Sequence, residues 1–410
     1  MAAEADPVAA RVHAALADLA GDLPALGIAL SGGGDSTALM HLAHGWGRAR
    51  LLAATVDHRL RPESGAEAAQ AGAAARALGI AHEVLPWTGA RRGNLMAAAR
   101  EARLHLLSDW ARRQGLRAVL LGHTLDDQAE TLLMRLGRGA GVDGLAGMAP
   151  RRAALGIDWL RPMLAVGRAE LRLWLGARGI AWAEDPSNLD PGYERVRIRQ
   201  ALALLELPLP QLAQTAENLG MARAALQEFA ARTAEGAECR AGSLALPLAA
   251  FRAAPQEIGH RLLTAGIRHV SGAPHGPRRS PALRARAALA GAARLTLEGV
   301  ILNARGSWLR LIREPAAALR SPPASGPGAV WDRRWRIDGL APGQELRALG
   351  HAPLTDLPWR EAGLDRDEAA ASPGVWQGGR LIAAPLLVPG ALRAVPLRGV
   401  GEFRALLYSH

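Results

Sequence analysis

The sequence predicts an α/β fold: a doubly wound parallel sheet, followed by a helical domain and a small β-rich C-terminal domain. Three observations support this prediction. In the first half of the chain, four short apolar runs alternate with helix-like stretches, which is the pattern of β-α-β units whose strands are buried on both faces. From about residue 211 the pattern is helical, and from residue 330 short apolar runs are broken by Pro and Gly. We therefore expect domains at residues 1–210, 211–318 and 330–410.

The predicted strands of the sheet are the apolar runs at residues 26–30, 51–56, 82–85 and 118–121. Residues 94–113 predict an amphipathic helix, because apolar side chains recur there at spacings of three and four. In a doubly wound sheet, ligands bind beyond the carboxyl ends of the strands. The loops that follow the predicted strands are therefore the candidate positions for a functional site.

The second half of the chain contains two further features. A strand-like stretch at residues 295–311 is interrupted by Gly299 and Gly306, and it follows a region, residues 211–289, whose pattern is helical. Residues 320–328 are rich in Pro, Gly and Ser, a composition typical of an interdomain linker.

The basic residues are unusual in kind. The formal net charge is +11, and because the chain contains no lysine, all 49 Lys+Arg residues are arginines. The planar guanidinium group pairs with two phosphate oxygens and stacks on bases, so this excess fits a polyanionic partner, above all a nucleic acid. An arginine-biased coding background is the alternative, and the charge alone does not separate the two.

Cysteine usage and the N-terminus exclude several classes of protein. The single cysteine, Cys239, cannot form an internal disulfide, a redox pair or a cysteine-based metal site. Glu4, Asp6 and Asp18 near the N-terminus argue against a secretory signal, and no apolar run has the roughly 18 to 20 residues that span a bilayer. We expect a cytoplasmic protein that is not inserted in a membrane.

A glycine-rich loop follows the first predicted strand. It reads Ser31-Gly32-Gly33-Gly34-Asp35-Ser36 and leads into a helix-like stretch, so its backbone N–H groups and the helix N-terminus can cradle phosphates. Ser31 and Ser36 add hydroxyl groups, and Asp35 is compatible with phosphate if Mg²⁺ lies between them. A tight turn capped by Asp35 is the alternative, but the complete pattern favours ATP binding. The loop lacks the GK[ST] ending of a Walker loop and resembles that of enzymes that adenylate a substrate and release pyrophosphate.

Several further segments follow the loop. They are Val56-Asp57-His58-Arg59-Leu60-Arg61-Pro62, the helix with Asn94, Arg100 and Arg103, Gly122-His123-Thr124-Leu125-Asp126-Asp127-Gln128-Ala129-Glu130-Thr131, Leu160-Arg161-Pro162-Met163-Leu164, and Glu184-Asp185-Pro186-Ser187-Asn188. Together they resemble the tRNA(Ile)-lysidine synthetase family, strongly over about residues 25–200. The resemblance implies a Rossmann-like PP-loop ATP pyrophosphatase domain that uses ATP and Mg²⁺.

The reaction that this resemblance implies has two steps. ATP adenylates the wobble cytidine of an isoleucine tRNA with the anticodon CAU, and the ε-amine of free lysine then displaces AMP to give lysidine. Asp126 and Glu130 are four residues apart and share a helix face, so with Asp127 they are the predicted lysine-orienting groups, and one of them is a candidate base. Helix capping is the alternative for these acids. His58 and Arg61 are expected near the nucleotide or the cytidine, although His58 could be a structural turn residue.

Five arginines are candidates for tRNA contact. They are Arg100, Arg103, Arg195, Arg197 and Arg199, and a solvated basic face is the alternative. Val196 stands where the family has an asparagine, so any contact made by that amide is lost. Because the chain has no lysine, any role of a catalytic-site lysine must fall to arginine, which does not donate protons near neutral pH.

Other functions are compatible with parts of this pattern. A tRNA thiolase of the same fold would need cysteines or an iron–sulfur cluster, and Cys239 has no partner in the catalytic half. Another adenylating ligase would share the loop but not the Asp57–Pro62 segment. A catalytically silent RNA binder would not require the intact loop and the acids of residues 126–130. The sequence does not predict the oligomeric state.

Overall fold

The computed structural model describes residues 6–59, 64–89, 95–184 and 190–409. The chain divides into two compact units, Met1–Arg223 and Ala224–His410. No helix in these described ranges is both long and apolar enough to cross a membrane.

The first unit is a six-stranded sheet flanked by helices. Its strands are β1 (Ala25–Ala29), β2 (Arg50–Asp57), β3 (Ala81–Pro86), β4 (Ala118–Leu120), β5 (Arg151–Ala154) and β6 (Ile157–Leu160). Its helices are α1 (Pro7–Ala20), α2 (Gly34–Trp46), α3 (Ser64–Ala77), α4 (Leu95–Arg113), α5 (Leu125–Gly137), α6 (Val142–Leu145), α7 (Arg168–Gly176) and α8 (Glu194–Leu204). Helix α9 (Leu209–Thr233) contains the boundary between the units.

The strand order places the functional site. The order is β3-β2-β1-β4-β6-β5, and all neighbours are parallel except β5 and β6. The chain order reverses between β1 and β4, so the loops after these two strands separate there and leave a crevice at their carboxyl ends. The four predicted strands of this sheet, the helix of residues 95–113 and the doubly wound fold class are confirmed.

Alternate residues of β1 explain why the sheet is covered on both faces. Leu26 and Ile28 are fully buried in a core cluster with residues of α1, α2 and α7. Ala29 belongs to a second cluster, which contains Trp110 of α4. Because successive side chains of a strand point to opposite faces, an apolar run of five residues supplies both cores.

The second unit is built on three antiparallel sheets. The five-stranded sheet contains β7 (Glu238–Arg240), β8 (Ser243–Pro247), β9 (Arg294–Leu297), β10 (Val300–Arg305) and β11 (Trp308–Arg313), in the order β7-β8-β11-β10-β9. The four-stranded sheet contains β12 (Ala324–Ser325), β15 (Gln344–Ala348), β16 (Pro373–Gln377) and β17 (Arg380–Ala383), and the three-stranded sheet contains β13 (Ala329–Trp331), β14 (Trp335–Ile337) and β18 (Ala394–Pro396). The helices are α10 (Leu248–Ala253), α11 (Gln256–Ser271), α12 (Arg279–Ala288), α13 (Pro315–Leu319), α14 (Arg366–Ala370) and α15 (Val400–Tyr408), with a 3-10 helix at Ala352–Thr355.

The second unit contains both helices and strands, and part of it differs from the sequence prediction. The predicted helical region of residues 211–289 is interrupted by β7 and β8, a hairpin in which Cys239 pairs with Leu244. The hairpin forms because β8 adds to the edge of β11, where the side chains of Leu244 and Leu246 are buried. The expected strand-like stretch of residues 295–311 is confirmed as β9, β10 and β11. The segment of residues 320–328 includes β12, which pairs with β15.

Candidate active site

The glycine-rich loop forms a closed turn between β1 and α2. Gly32 has a φ of +84°, a left-handed conformation that favours glycine, and Gly33 is the N-cap of α2. The hydroxyl group of Ser36 donates to the carbonyl oxygen of Gly33 (2.9 Å) and accepts from the backbone N–H of Ser31 (3.1 Å). This geometry holds the loop around the N-terminus of α2, where backbone N–H groups and the helix dipole favour a phosphate.

The segment after β4 forms the other side of the crevice. A Cβ atom at Gly122 would lie 3.2 Å from the carbonyl carbon of Asp35 and from the Cα of Ser36, so the absence of a side chain lets the two loops approach. Thr124 then caps α5 in a capping box with Asp127, whose Oδ2 accepts from the Thr124 backbone N–H at 2.9 Å. Helix capping, which was the alternative prediction for the acids of residues 126–130, is therefore confirmed for Asp127.

His123, between Gly122 and the cap of α5, is held as a neutral side chain. Burial, and then the nearby Arg161 guanidinium, lower the pKa of His123 to about 3. The Nε of Arg161 donates to the Nδ1 of His123 at 3.1 Å. The ring proton therefore belongs on Nε2, and His123 offers an N–H donor at the cavity that the glycine-rich loop lines.

One arginine connects the glycine-rich loop to the acids of α5. Arg168, the first residue of α7, donates through Nε to Asp35 Oδ2 (3.0 Å), through Nη2 to Asp127 Oδ1 (3.0 Å) and through Nη1 to Glu130 Oε1 (3.1 Å). Its backbone N–H donates to Asp126 Oδ2 at 2.7 Å. Four carboxylates from two elements are therefore organised by a single residue.

Two arginines of α8 complete this ion-pair network. Arg195 donates through Nε to Glu130 Oε2 (2.6 Å) and through Nη2 to Asp127 Oδ1 (2.9 Å). Arg199, one turn further along the helix, donates through Nε to Glu130 Oε1 at 3.0 Å. Both carboxylate oxygens of Glu130 are thus engaged by guanidinium groups.

The network borders a cavity of about 740 Å³. Its lining includes residues of the glycine-rich loop and of the segment after β4, together with Arg168, Arg195 and Arg199, which we call the arginine wall. Asp127 and Glu130 are only 6% and 1% exposed, and they stand behind the arginine wall rather than in the cavity lining.

Two carboxylate oxygens of the site accept no hydrogen bond from the described residues. They are Oδ1 of Asp35 and Oδ1 of Asp126, since Arg168 binds Oδ2 in each case. Burial raises the pKa of Asp35, and Arg168 opposes this rise. Among the described part of the chain no three His, Cys, Asp or Glu residues are arranged to hold a metal ion.

The other predicted site residues lie in different places. His58 and Arg103 line a small adjoining cavity of about 120 Å³, which also reaches Ser31, and Arg103 lines the main cavity as well. Burial, and then Arg103, lower the pKa of His58, whose ring is 5.8 Å from that of Trp87 in an edge-to-face contact. Arg100 is exposed and is not part of either cavity lining. Arg197 points away from the arginine wall and donates to the carbonyl oxygens of Pro191 and Gly192.

Three of the predicted features lie outside the described residues: Arg61, Asn94 and the segment of residues 185–188. The Val196 side chain, at the family's asparagine position, is 6% exposed and lines the main cavity.

Arg168 and Trp182 were not identified from the sequence, and Arg161 was named only as part of the segment of residues 160–164, without a role. Arg168 begins the helix that follows β6, and its position at the carboxyl end of a parallel strand could have marked it. Trp182 lines the main cavity, and its indole lies against the start of α2, where a Cβ at Gly34 would be 3.4 Å from it. No apolar periodicity indicates such a contact.

The chain is similar to proteins of known family. A family model described as a PP-loop domain matches residues 6–206. A tRNA(Ile)-lysidine synthase of Ruegeria pomeroyi is 45% identical over 397 residues, which cover 94% of each chain. Proteins with the same name from Methylobacterium sp. (strain 4-46) and Mesorhizobium japonicum are 42% and 38% identical. They cover 70% and 84% of this chain, and 88% and 78% of their own lengths.

Proposed function

This chain belongs to the tRNA(Ile)-lysidine synthase family, and we propose that it ligates lysine to the wobble cytidine of an isoleucine tRNA with the anticodon CAU. The chain is an enzyme, a ligase that uses ATP. The observation that carries the proposal is a cavity lined both by the glycine-rich loop and by the arginine wall. Similarity over 94% of the length of a lysidine synthase extends the proposal to the whole chain.

In the first step the 2-carbonyl oxygen of the cytidine attacks the α-phosphorus of ATP. A P–O bond forms, and the bond to the departing pyrophosphate breaks. The loop of residues 31–36 and the N-terminus of α2 are suited to hold the phosphates, because their N–H groups are fixed before ATP arrives. The Nε2–H of His123 supplies a further neutral donor at the same cavity.

Mg²⁺ fits the donor set at this loop. Oδ1 of Asp35 accepts no hydrogen bond from the described residues, and Mg²⁺ is commonly held by one or two carboxylates together with substrate phosphates. We propose Asp35 as its protein ligand. When bound, Mg²⁺ would neutralise charge on the phosphates.

In the second step the ε-amine of lysine attacks C2 of the adenylated cytidine, and AMP leaves with the former carbonyl oxygen. The amine must first lose a proton, since an ammonium group is not a nucleophile. Asp126 is half-buried, unlike Asp127 and Glu130, and its Oδ1 can still accept a donor, so we propose that Asp126 orients the amine and accepts the proton. His58 and Arg61 remain candidates for contact with lysine or the cytidine, whereas Asp127 and Glu130, predicted as partners of Asp126, are bound by guanidinium groups.

Contact with tRNA is proposed for the arginines that have no acid partner. Arg100 and Arg103 form no ion pair with any described residue, and burial, followed by Arg100, lowers the pKa of Arg103. Unpaired cations near a cavity are suited to backbone phosphates. Arg197 can contribute from the outer face of α8, and the net charge of +11 favours the approach of a polyanion. We also propose that the enzyme works in the cytoplasm, where it would meet tRNA and free lysine.

The test separates the two steps on an unmodified transcript of the isoleucine tRNA. We expect labelled lysine to enter the transcript only with ATP, and we expect adenylated tRNA to form when lysine is omitted. A transcript of a methionine tRNA serves as the control for specificity. Failure to incorporate lysine into the authentic transcript, at saturating ATP and Mg²⁺, would refute the proposal.

A thiolase function finds no support in the single cysteine. Burial, and then Glu402, raise the pKa of Cys239 to about 11, so its thiol is a poor nucleophile at neutral pH. Its Sγ lies 3.4 Å from Nε2 of His269, which burial keeps neutral by lowering its pKa to about 4.

A further inference from the structure

We propose that Glu130 and Asp127 are positioning residues, which hold the arginine wall against the polyphosphate of ATP and the departing pyrophosphate. This inference rests on the proposed function, and it assigns the two acids to the adenylation step rather than to direct contact with lysine. The arginine wall thereby becomes a second anion-binding surface in the cavity that the glycine-rich loop also lines.

The first argument is the coordination of Glu130. Its two oxygens accept three hydrogen bonds from three guanidinium groups, at 2.6, 3.0 and 3.1 Å, and its side chain is 1% exposed. Asp127 uses Oδ1 for Arg168 and Arg195 and uses Oδ2 for the cap of α5. Neither acid has an oxygen that is both free of a donor and open to the cavity, so a lysine ammonium group would have to displace an arginine.

The second argument is the direction in which the guanidinium groups are presented. Arg168, Arg195 and Arg199 line the cavity, whereas Asp127 and Glu130 lie behind them. Each contact from Arg199 or Arg195 to Glu130 uses Nε, and for Arg199 this leaves both Nη groups without a described protein acceptor. N–H groups that point into a cavity beside a phosphate-binding loop are suited to an anion with several charges.

The third argument is charge balance. Three guanidinium groups without acids would repel one another in the empty cavity and would swing into solvent. Paired with Asp127 and Glu130, they are held in place before ATP binds, and fixed donors stabilise developing charge without reorganising. The acids therefore organise the arginine wall without contacting the substrate.

The test is the lysine-free adenylation of the tRNA by the Glu130→Gln variant. The amide keeps the shape but loses the charge that holds three arginines. We expect the KM for ATP and the inhibition constant for pyrophosphate to rise about tenfold or more, the effect of weakening charge-assisted hydrogen bonds. The KM for lysine, measured at saturating ATP, should stay within about twofold of wild type, and Glu130→Asp should restore part of the ATP affinity. A loss of folded protein alone would lower kcat and leave the KM for ATP unchanged.

Two further variants keep the test decisive if Glu130→Gln does not fold. Arg195→Gln and Arg199→Gln alter half-exposed side chains, and each should raise the same two constants for ATP and pyrophosphate. Glu194→Gln is the matched control, because this acid of α8 pairs with Arg138 at the surface and lies outside the cavity lining.

The outcomes separate this inference from the proposed function. Normal adenylation by Glu130→Gln with a raised KM for lysine would overturn the inference and would assign Glu130 to lysine binding. An active wild type whose arginine variants bind ATP and pyrophosphate normally would also overturn it. If the wild type itself fails to adenylate the tRNA, it is the proposed function that fails.

Discussion

Replacing Arg168 with methionine removes the one cation that forms an ion pair with Asp35 among the described residues. The Nε of Arg168 lies 3.0 Å from Asp35 Oδ2, and the arginine side chain is 14% exposed. Glu130 keeps Arg195 and Arg199 as partners, and Asp127 keeps Arg195. The electrostatic loss therefore falls mainly on Asp35.

In the pH profile of adenylation, we expect the loss of activity on the acid side to begin at a higher pH in the variant than in the wild type. Burial already raises the pKa of Asp35, and Arg168 holds it down. Because an adjacent guanidinium group favours the ionised carboxylate, its removal should raise the pKa of Asp35 further. Asp35 must be ionised to hold a cation at the phosphates. On the acid side of the new pKa, activity should therefore fall about tenfold for each pH unit by which the acid limb of this profile moves.

The assay is kcat/KM for ATP in lysine-free adenylation, measured from pH 5 to pH 9 with a folded variant of known unfolding temperature. Removal of one partner from a buried ion-pair network costs roughly 3–5 kcal/mol of stability at most, so the temperature of the assay is chosen below the transition of the variant. Arg178→Met is the control, since that guanidinium pairs with Asp6 and Trp174 and not with the site. An acid limb that is identical in wild type and Arg168→Met would show that Arg168 does not control the ionisation of Asp35.

Three further predictions concern the same crevice. Asp35→Ala should abolish adenylation while leaving the fold intact by circular dichroism, and near-normal lysine incorporation would contradict its role. Gly122→Ala places a Cβ 3.2 Å from the Asp35 backbone, so the KM for ATP should rise several-fold with little change in unfolding temperature; an unchanged KM would show that the loops adjust freely. His123 has a pKa of about 3 in the folded protein against an ordinary value of 6.5, so its contribution to stability is complete above pH 6.5 and is lost as the pH falls toward 3. Between pH 7 and pH 5 the wild type should lose roughly 2 kcal/mol of unfolding free energy through His123, and His123→Gln should not show this loss. Urea unfolding of both proteins at the two pH values measures the difference. Equal losses in the two proteins would contradict the assignment.

The fold of the first unit could be predicted because its signals are local. Apolar runs such as residues 26–30 supply side chains to both faces of a sheet, so they identify buried strands. A glycine-rich loop between a strand and a helix can adopt few conformations other than the observed turn. The hairpin of β7 and β8 was missed because its stability comes from pairing with β11, more than 60 residues away in the chain. The residues on both sides of the hairpin have a helical composition, so the whole of residues 211–289 was predicted to be helical.

The site was predicted in its parts but not in its connections. The spacing of Asp126 and Glu130 correctly placed both on α5, yet it could not show that Arg168, some 40 residues later, binds both of them. The same periodicity that groups Asp126 with Glu130 separates Arg197 from Arg195 and Arg199, because residues four apart on α8 share a face and residues two apart do not. A helical projection of residues 194–204 would have divided these arginines between the cavity and the surface.

The cations of the arginine wall are guanidinium groups, and the chain contains no lysine that could replace them. Under the proposed function the second substrate is a primary amine, and this chain carries no lysine side chain that could compete with it for the adenylated cytidine. Guanidinium groups remain protonated near neutral pH, so they can neutralise phosphates in the cavity without attacking the activated base. Asp127 and Glu130 bind those guanidinium groups at distances of 2.6–3.1 Å, and under the inference above this would place fixed cationic charge at the phosphates while the nucleophile comes only from the substrate.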